Sequence, residues 1–462
     1  MSAGALCLLA VLGAVASPAA AAPAGGALTL DDALALAGRQ NKDLRLSRSR
    51  REAAGVDVTA SWAGVLPRLD LSASGGRDFV GARQSVQVVP TGVGPDGLPT
   101  FQQQAINIPA TDFADWSLGL KLSQPIFDGL RSWNAIRRAE SMERASAGQL
   151  DEAALTTAFD VTRKFYEVVK AERSLAVLEE TVARSEELVR RADALFAEGR
   201  GLKGDAYAAR VNLANDRINV ESQRARVAQA RSDLAVALGG EGVDVPAVVA
   251  PAAVDAPGLG GAAEPPPAEA LLARARAARP LLRSQRELVA ASGLDVAIAR
   301  ADWWPALSLQ AAYNREGPSL TGSEGVLGDP TRQYTAVAQV ALTWNLFAGR
   351  QTQAQVAKAG IAEAQARIGA EQADQQVASE IARARSALVA LSRSALLAAE
   401  SLGSAEENVK LARARLDAGA ASQLEVRDAL LKLTQAKLTL LQARVDEAVA
   451  RADLNRAVGG VL

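Results

Sequence analysis

Histidine is absent from this 462-residue chain. Its absence removes the Ser-His-Asp triad, the imidazole general base and any His-ligated zinc or copper site. Aromatic residues are also scarce, at 4%, although hydrophobic residues reach 49%, so the apolar content is mostly small aliphatic side chains. Charge of one sign is not in excess. With 51 Lys+Arg against 52 Asp+Glu the net charge is -1, which gives no electrostatic reason to expect nucleic acid as a partner. Cysteine occurs once, as Cys7, inside the apolar run Ala5–Val15, which is too short to cross a bilayer as a helix. Ser17-Pro18 and the small residues Ala19–Ala24 follow it, so residues 1–24 are expected to be a secretory signal, although no Lys or Arg precedes the run. The remaining chain then carries no thiol, as suits an oxidising compartment. No later stretch approaches 18 uninterrupted apolar residues, so no transmembrane helix is expected, and export, the periplasm or insertion as a β-barrel remain. A conventional enzyme is disfavoured, and no catalytic, cofactor-binding or metal-binding residue is assigned.

What the chain does have is a copy of itself. Phe196-Ala-Glu-Gly199 through Gly239-Gly240 matches Asp417-Ala-Gly419 through Gly459-Gly460 at an offset of 220 positions, and Phe127-Asp-Gly129 matches Phe347-Ala-Gly349 at the same offset. Upstream, Pro67-Arg-Leu69-Asp-Leu71 matches Pro305-Ala-Leu307-Ser-Leu309 at an offset of 238, so the second copy is 18 positions shorter between the proline and the Phe-x-Gly. The expected organisation is a signal at 1–24, a first structural repeat at 25–240, a connector at 241–267 rich in Pro and Gly, and a second repeat at 268–462.

Each copy reads as a helix, two strands and a long helical hairpin. The first helix is expected from Leu30 to Trp62, with Thr29 or Asp31 as N-cap. Four segments alternate strictly: Leu69, Leu71 and Ala73; Trp116, Leu118, Leu120 and Leu122; Leu307, Leu309, Ala311 and Tyr313; and Tyr334 to Trp344 in steps of two. A half-buried soluble sheet would also alternate. Two features favour lipid contact: the stripes have the length of a tilted membrane-crossing strand, and Trp116, Tyr313, Tyr334 and Trp344 stand at stripe ends, where a membrane interface would place aromatics. The stretch Val80–Asp112, rich in Gly, Pro and Gln, is expected to be a long polar loop outside the cell.

Between Arg131 and Ala197 there is no proline and one glycine, and Arg350 to Ala418 is a comparable run, each about 100 Å long if helical. Val377, Ile381, Ala384, Leu388 and Leu391 step by 4, 3, 4, 3, and Leu433, Ala436, Leu440 and Ala443 continue that rhythm. Such spacing makes coiled-coil seams. A fibrous coiled coil would share the seams but not the paired amphipathic strands at matching points of both halves.

With these features in order, twice, the chain resembles the TolC-like outer-membrane efflux protein family over essentially all of its length after the signal. The features that carry the resemblance are the Leu28-Thr-Leu-Asp-Asp-Ala33-Leu34 opening, the Pro67 and Pro305 strand entries, Ser123-Gln-Pro-Ile-Phe127-Asp-Gly129 with its echo at Trp344–Gly349, the hairpin turns and the Gly-Gly helix ends. The resemblance implies a mainly α fold with a membrane β contribution: a homotrimer whose twelve strands form one barrel, continuous with a tapered helical tunnel in the periplasm. It further implies an exit duct in the outer membrane, in contact with its lipid, for tripartite efflux or type I secretion. Such a duct is served by a periplasmic adaptor docked at the hairpin tips, Gly199 and Gly419, and by an inner-membrane pump of RND or ABC type. A constriction by acidic side chains carries over to Asp205, Glu425 and Asp428, of which the last two share one helical face; acids near a helix N-terminus also simply complement its dipole. Ala420 and Ala421 stand where a basic residue locks some members closed, leaving Arg200, Lys203 and Arg427 within reach. The alternative is a periplasmic adaptor, which has similar helices but a single hairpin and no barrel strands.

Overall fold

The computed structural model describes residues 28–240, 248–251, 265–418 and 420–460. The expected signal at 1–24, most of the connector and Gly419 lie outside the described residues. Contacts divide the described residues into two compact units, one drawn from residues 28–45, 153–278 and 379–460, the other from 46–152 and 279–378.

The element order is α1 (Leu30–Gln40), α2 (Lys42–Ser61), β1 (Arg68–Val80), β2 (Arg83–Val93), β3 (Pro99–Ile108), β4 (Thr111–Phe127), α3 (Arg131–Ala197), α4 (Lys203–Leu238), then α5 (Ala268–Ala278), α6 (Pro280–Arg300), β5 (Ala306–Gly317), β6 (Tyr334–Thr343), α7 (Gln351–Asp417) and α8 (Gln423–Val458). The second half repeats the first. Two 67-residue helices, α3 and α7, each precede one of 36 residues.

Two expectations change. The single first helix is two. Asn41 leaves the helical region (φ -56°, ψ 128°), and its side chain explains why: Nδ2 donates to Ala237 O at 2.8 Å while Oδ1 accepts the Leu44 N–H at 3.0 Å. Asn41 thus caps α2 and ties the break to the end of α4. Thr29 is the N-cap, accepting the Asp32 N–H. Nor is Val80–Asp112 an irregular loop. It contains the antiparallel β2–β3 ribbon, closed at Gly94-Pro-Asp-Gly97, where Gly94 N donates to Leu98 O. The alternation Ser85-Val86-Gln87-Val88 was masked by the Gly, Pro and Gln content of the stretch.

The Phe-x-Gly echo has a structural cause. Gly129 and Leu130 (φ 68° and 65°) and Gly349 and Arg350 (φ 57° and 68°) each form two successive left-handed residues that turn the chain from sheet into α3 and α7. Glycine is favoured at the first of each pair because left-handed backbone costs an L residue about 1–2 kcal/mol. At Gly129 a Cβ would also stand 2.7 Å from Ala301 O.

In the first unit most of the expected seam is buried: Ile381, Ala384 and Leu388 on α7, and Leu433, Ala436, Leu440 and Ala443 on α8, are all at most 8% exposed, while Leu391 is half-buried. Val377, in the second unit, is fully buried. A cluster of Phe165, Tyr166, Val168 and Val169 from α3 with Leu234 and Leu238 from α4 packs around Ala33 and Ala37 of α1. The alanines are what let the helices approach. Helices α4 and α8 stop at left-handed Gly239 and Gly459 (φ 86° and 92°), as the Gly-Gly pairs predict.

Candidate functional site

In the second unit a four-stranded antiparallel sheet runs in the order β1-β4-β5-β6. Its register decides how the faces are used. Leu69 pairs with Leu122 and Leu71 with Leu120; Leu122 pairs with Ala311 and Leu120 with Tyr313; Leu309 pairs with Val340 and Leu307 with Leu342. Directly opposite residues share a face, so the four stripes form one continuous apolar surface. The other face collects Asp70, Lys121, Ser72, Ser123, Gln310 and Gln339 by the same pairings. Both large faces are open: Leu69, Leu71, Val340 and Leu342 are 62–72% exposed. A soluble sheet would bury its leucines against a second layer. No helix among the described residues is long and apolar enough to cross a membrane.

Trp116 lies across Gly75, where a Cβ would come within 2.5 Å of the indole, and Tyr313 and Tyr334 stack with ring centroids 5.8 Å apart. Trp344 is at the opposite end, its Nε1 donating to Trp303 O at 3.2 Å. Four more tryptophans, unassigned from sequence, gather at that end: Trp62 packs edge-on to Trp133 at 5.9 Å, and Trp303 and Trp304 precede β5. The signal for Trp62, Trp303 and Trp304 was their place just before the Pro67 and Pro305 strand entries, and for Trp133 its place just after Phe127-Asp-Gly129.

The β5–β6 connection is held by one side chain. Buried Arg315 donates from Nη2 to Asp329 O at 2.7 Å and reaches the carbonyls of Gly325 and Arg332. Asp329 in turn accepts from the Thr331 hydroxyl and N–H, which holds its carboxyl below the ordinary aspartate range.

At the hairpin tips, in the first unit, Gly199 takes a left-handed φ of 74° in the α3–α4 turn. Asp205 stands in the first turn of α4 and lines a cavity with Ser185, Asn212, Gln423 and Arg427. Glu425 and Asp428 do not line it. Ser422 caps α8 by accepting the Glu425 N–H at 3.2 Å, and the Glu425 carboxylate pairs with Arg415 of α7 at 3.0 Å. Asp428 pairs with Lys432, one turn on, at 2.6 Å. Of the basic candidates, Arg200 pairs with Glu198 and Lys203 lies over the Tyr207 ring. Arg427 reaches further: its Nη1 is 3.9 Å from Asp216 Oδ2, which accepts the Ser185 hydroxyl at 2.6 Å. This network joins the second hairpin to both helices of the first. Below it, Thr181 bonds Thr434 and Lys437 pairs with Glu180, lowering the Glu180 carboxyl through that hydrogen bond.

A paired, antiparallel four-strand surface followed twice by a long hairpin is a specific architecture, and comparison identifies it. The family model described as "Outer membrane efflux protein" matches residues 33–240 and 271–460. The chain belongs to that family. It is therefore an outer-membrane efflux channel, with its long helices on the periplasmic side, and the adaptor alternative is not supported. Among solved structures it is similar to CusC (20% identity, TM-score 0.75, covering 93% of this chain and 92% of that one). It is also similar to a membrane protein from Pseudomonas aeruginosa (21%, 0.74, 94% and 90%) and to the open state of the MtrE outer membrane channel of Neisseria gonorrhoeae (18%, 0.74, 93% and 89%). At these identities the likeness establishes the fold. No curated protein matches the chain.

Proposed function

We propose that three copies of this chain join edge to edge in a twelve-stranded barrel and form the passive exit duct of a tripartite efflux or type I secretion system. The observation that carries this reading is the sheet itself: it has one continuous apolar face and two open edges, at β1 and β6. In lipid each unpaired backbone group costs several kcal/mol, so an open four-stranded sheet is not viable alone and closure requires further copies. Twelve strands fall within the range of such barrels. The polar face, with Lys121, Gln310 and Gln339, then lines a wet lumen. A periplasmic adaptor docks at the tips around Gly199 and Gly419, and an inner-membrane pump of RND or ABC type supplies the substrate.

In the same reading Glu425 and Asp428, with Asp205, narrow the tunnel as rings of negative charge around the three-fold axis. Their ion pairs with Arg415 and Lys432 are exposed and individually weak, so they leave the carboxylates available to passing cations. The test is the purified protein in planar bilayers. Glu425→Ala with Asp428→Ala is expected to raise conductance or reduce cation preference; currents identical to wild type would remove both residues from the constriction. A protein that runs as a monomer in detergent, with no heat-modifiable trimer, would overturn the duct.

A further inference from the structure

The β2–β3 ribbon rises at the Thr111 end of β4, opposite the Phe127 end from which α3 departs toward the periplasm, so it stands on the exterior side. Strand β5 stops at Gly317, level with Trp116. Beyond that level each copy continues the wall with two strands in place of four, first β1 and β4 and then the ribbon. We infer that the ribbons of three copies lean inward and pair, β3 of one with β2 of the next, into a narrow six-stranded cap that shuts the mouth of the barrel. The inference rests on the trimeric duct and adds to it an outer closure, the contact surface and the partner, a second copy of this chain.

A two-stranded ribbon standing alone is marginal in water. Here Val86 pairs with Ala105, Val88 with Gln103 and Pro90 with Phe101, so these residues share one face. That face is open in the protomer: Val86, Val88 and Phe101 are 56–62% exposed. The step of two carries the polar row of β1, from Asp70 and Ser72 to Val80, onward to Gln84, Val86 and Val88, so this face looks toward the three-fold axis. The edges are open as well. Between Arg83 and Ile108 the only other ionised residue is Asp96, in the turn, so charge, a usual guard of an exposed strand edge, is missing. Pro90 and the bulge between Pro90 and Gly92 blunt only the far part of β2, leaving Gln84–Val89 and, on β3, Thr100–Ile108. A flat uncharged edge is a template for another strand. In a three-fold ring the strand beside β3 is β2 of the next copy, and it runs antiparallel.

Size favours the other copies as occupants. Strands about 4.8 Å apart and tilted by about 40° place twelve on a circle of about 12 Å radius and six on one of about 6 Å. The 11 residues of β2 reach about 36 Å at about 3.3 Å each, so every ribbon spans to the axis with length to spare. A barrel of about eight strands is already just filled by its own side chains. A six-stranded cap with Val86, Val88 and Phe101 turned inward therefore leaves no water path. The break that permits the lean is built into the chain. Val80 pairs with Thr111 and Arg83 with Ile108, while Gly81-Ala82 and Pro109-Ala110 between them make no ladder pairs. A Cβ at Gly81 would meet nothing within 4 Å, and Pro109 has no N–H to give. Edge hydrogen bonds exchanged with water are individually weak, so the cap yields to arriving substrate.

The test uses the full-length protein in a Cys7→Ser background, with Val88→Cys on the inward face and Val89→Cys on the outward one. In the cap, equivalent residues of neighbouring copies stand about 10 Å apart, against about 20 Å with the ribbons upright on the barrel wall. A cleavable bismaleimide that reaches no further than the shorter distance separates the two arrangements. Val88→Cys is expected to give heat-resistant covalent dimers and trimers, about ten-fold more than Val89→Cys. The cross-link should cut single-channel conductance in planar bilayers by about ten-fold, until the linker is cleaved. Gln103→Cys, opposite Val88, supplies a second inward position where Val88→Cys fails to assemble. Heated monomers alone, from a trimer intact before heating, would overturn the cap, as would cross-linked trimers that conduct as before. Capture of Val88→Cys in intact cells by a different protein, and not by its own kind, would overturn it too. An intact channel without cross-links sinks this inference alone, whereas absence of the unheated trimer in the Cys7→Ser protein sinks the duct.

Discussion

The Asp216 network offers the sharpest test of how the two hairpins of one chain are held together near their tips. Asp216 and Ser185 are 7% and 5% exposed, and the Ser185 hydroxyl donates to Asp216 Oδ2 at 2.6 Å. A hydrogen bond to a buried charged group contributes about 1.5–3 kcal/mol. The Arg427 pair adds less: at 3.9 Å, with the arginine still 19% exposed, about 1 kcal/mol is a fair expectation. Asp216→Asn keeps an acceptor for Ser185 and loses the charge, so it should cost about 1 kcal/mol; Asp216→Ala loses both and should cost about 2–3 kcal/mol. If the closed tip depends on this link and the open one does not, the open-to-closed ratio rises by a factor of ten per 1.4 kcal/mol. Open probability in planar bilayers should then rise about five-fold for Asp216→Asn and more than ten-fold for Asp216→Ala, with Ser185→Ala between them. The decisive result would be a lowered melting temperature with unchanged open probability in all three variants. The network would then hold the protomer together without bearing on the tip.

Gly239 and Gly199 share a left-handed backbone but differ in surroundings: a Cβ at Gly239 would stand 2.3 Å from Gln40 O, and one at Gly199 meets nothing within 4 Å. Gly199→Ala should cost about 1 kcal/mol and Gly239→Ala clearly more, read from thermal unfolding of the long helices by circular dichroism; equal losses would refute the packing account. The Glu180 carboxyl is lowered by its hydrogen bond from Lys437, so the contribution of the pair is full above the ordinary glutamate range and fades as pH falls through the folded value. Lys437→Met should therefore cost a few tenths to about 1 kcal/mol at pH 7 and nearly nothing at pH 3. A loss independent of pH would assign the effect to packing instead.

Periodicity made most of this fold legible before any coordinates. The 3–4 spacing of Val377, Ile381, Ala384 and Leu388 could satisfy only a buried helical seam, and the step of two from Tyr334 to Trp344 only a two-faced strand. Where reading by composition replaced reading by period, it failed. Val80–Asp112 looked like a loop because Gly, Pro and Gln outweighed the short alternation of β2 and β3. The break at Asn41 was hidden because its cause is distant: the asparagine is held out of helical geometry by Ala237 O, almost two hundred positions away. The tip acids show the same limit. Sequence places Glu425 three residues after Ser422, a capping-box spacing, yet the Glu425 carboxylate turns across the hairpin to Arg415, a partner fixed by tertiary packing. The Ser185–Asp216–Arg427 contact left no sequence signal, because its three members lie on three helices.

The open edges of the sheet carry the strongest remaining consequence. Along an antiparallel edge strand, backbone N–H groups point alternately to the paired neighbour and to the outside. Of Ala336 and Val337, adjacent in β6, one therefore directs its N–H to β5 and the other to the free edge. Proline at the first removes a bond inside the protomer and should disturb the sheet itself. Proline at the second costs an isolated protomer little, because edge strands tolerate it, but it deletes a bond that a neighbouring copy must make in lipid, where nothing else replaces it. One of Ala336→Pro and Val337→Pro should thus keep full helical content while losing the heat-modifiable trimer, and the other should lose both sheet and trimer. If both variants assemble as the wild type does, the β6 edge is not where one copy meets the next. The apolar face would then have to be covered in some other way.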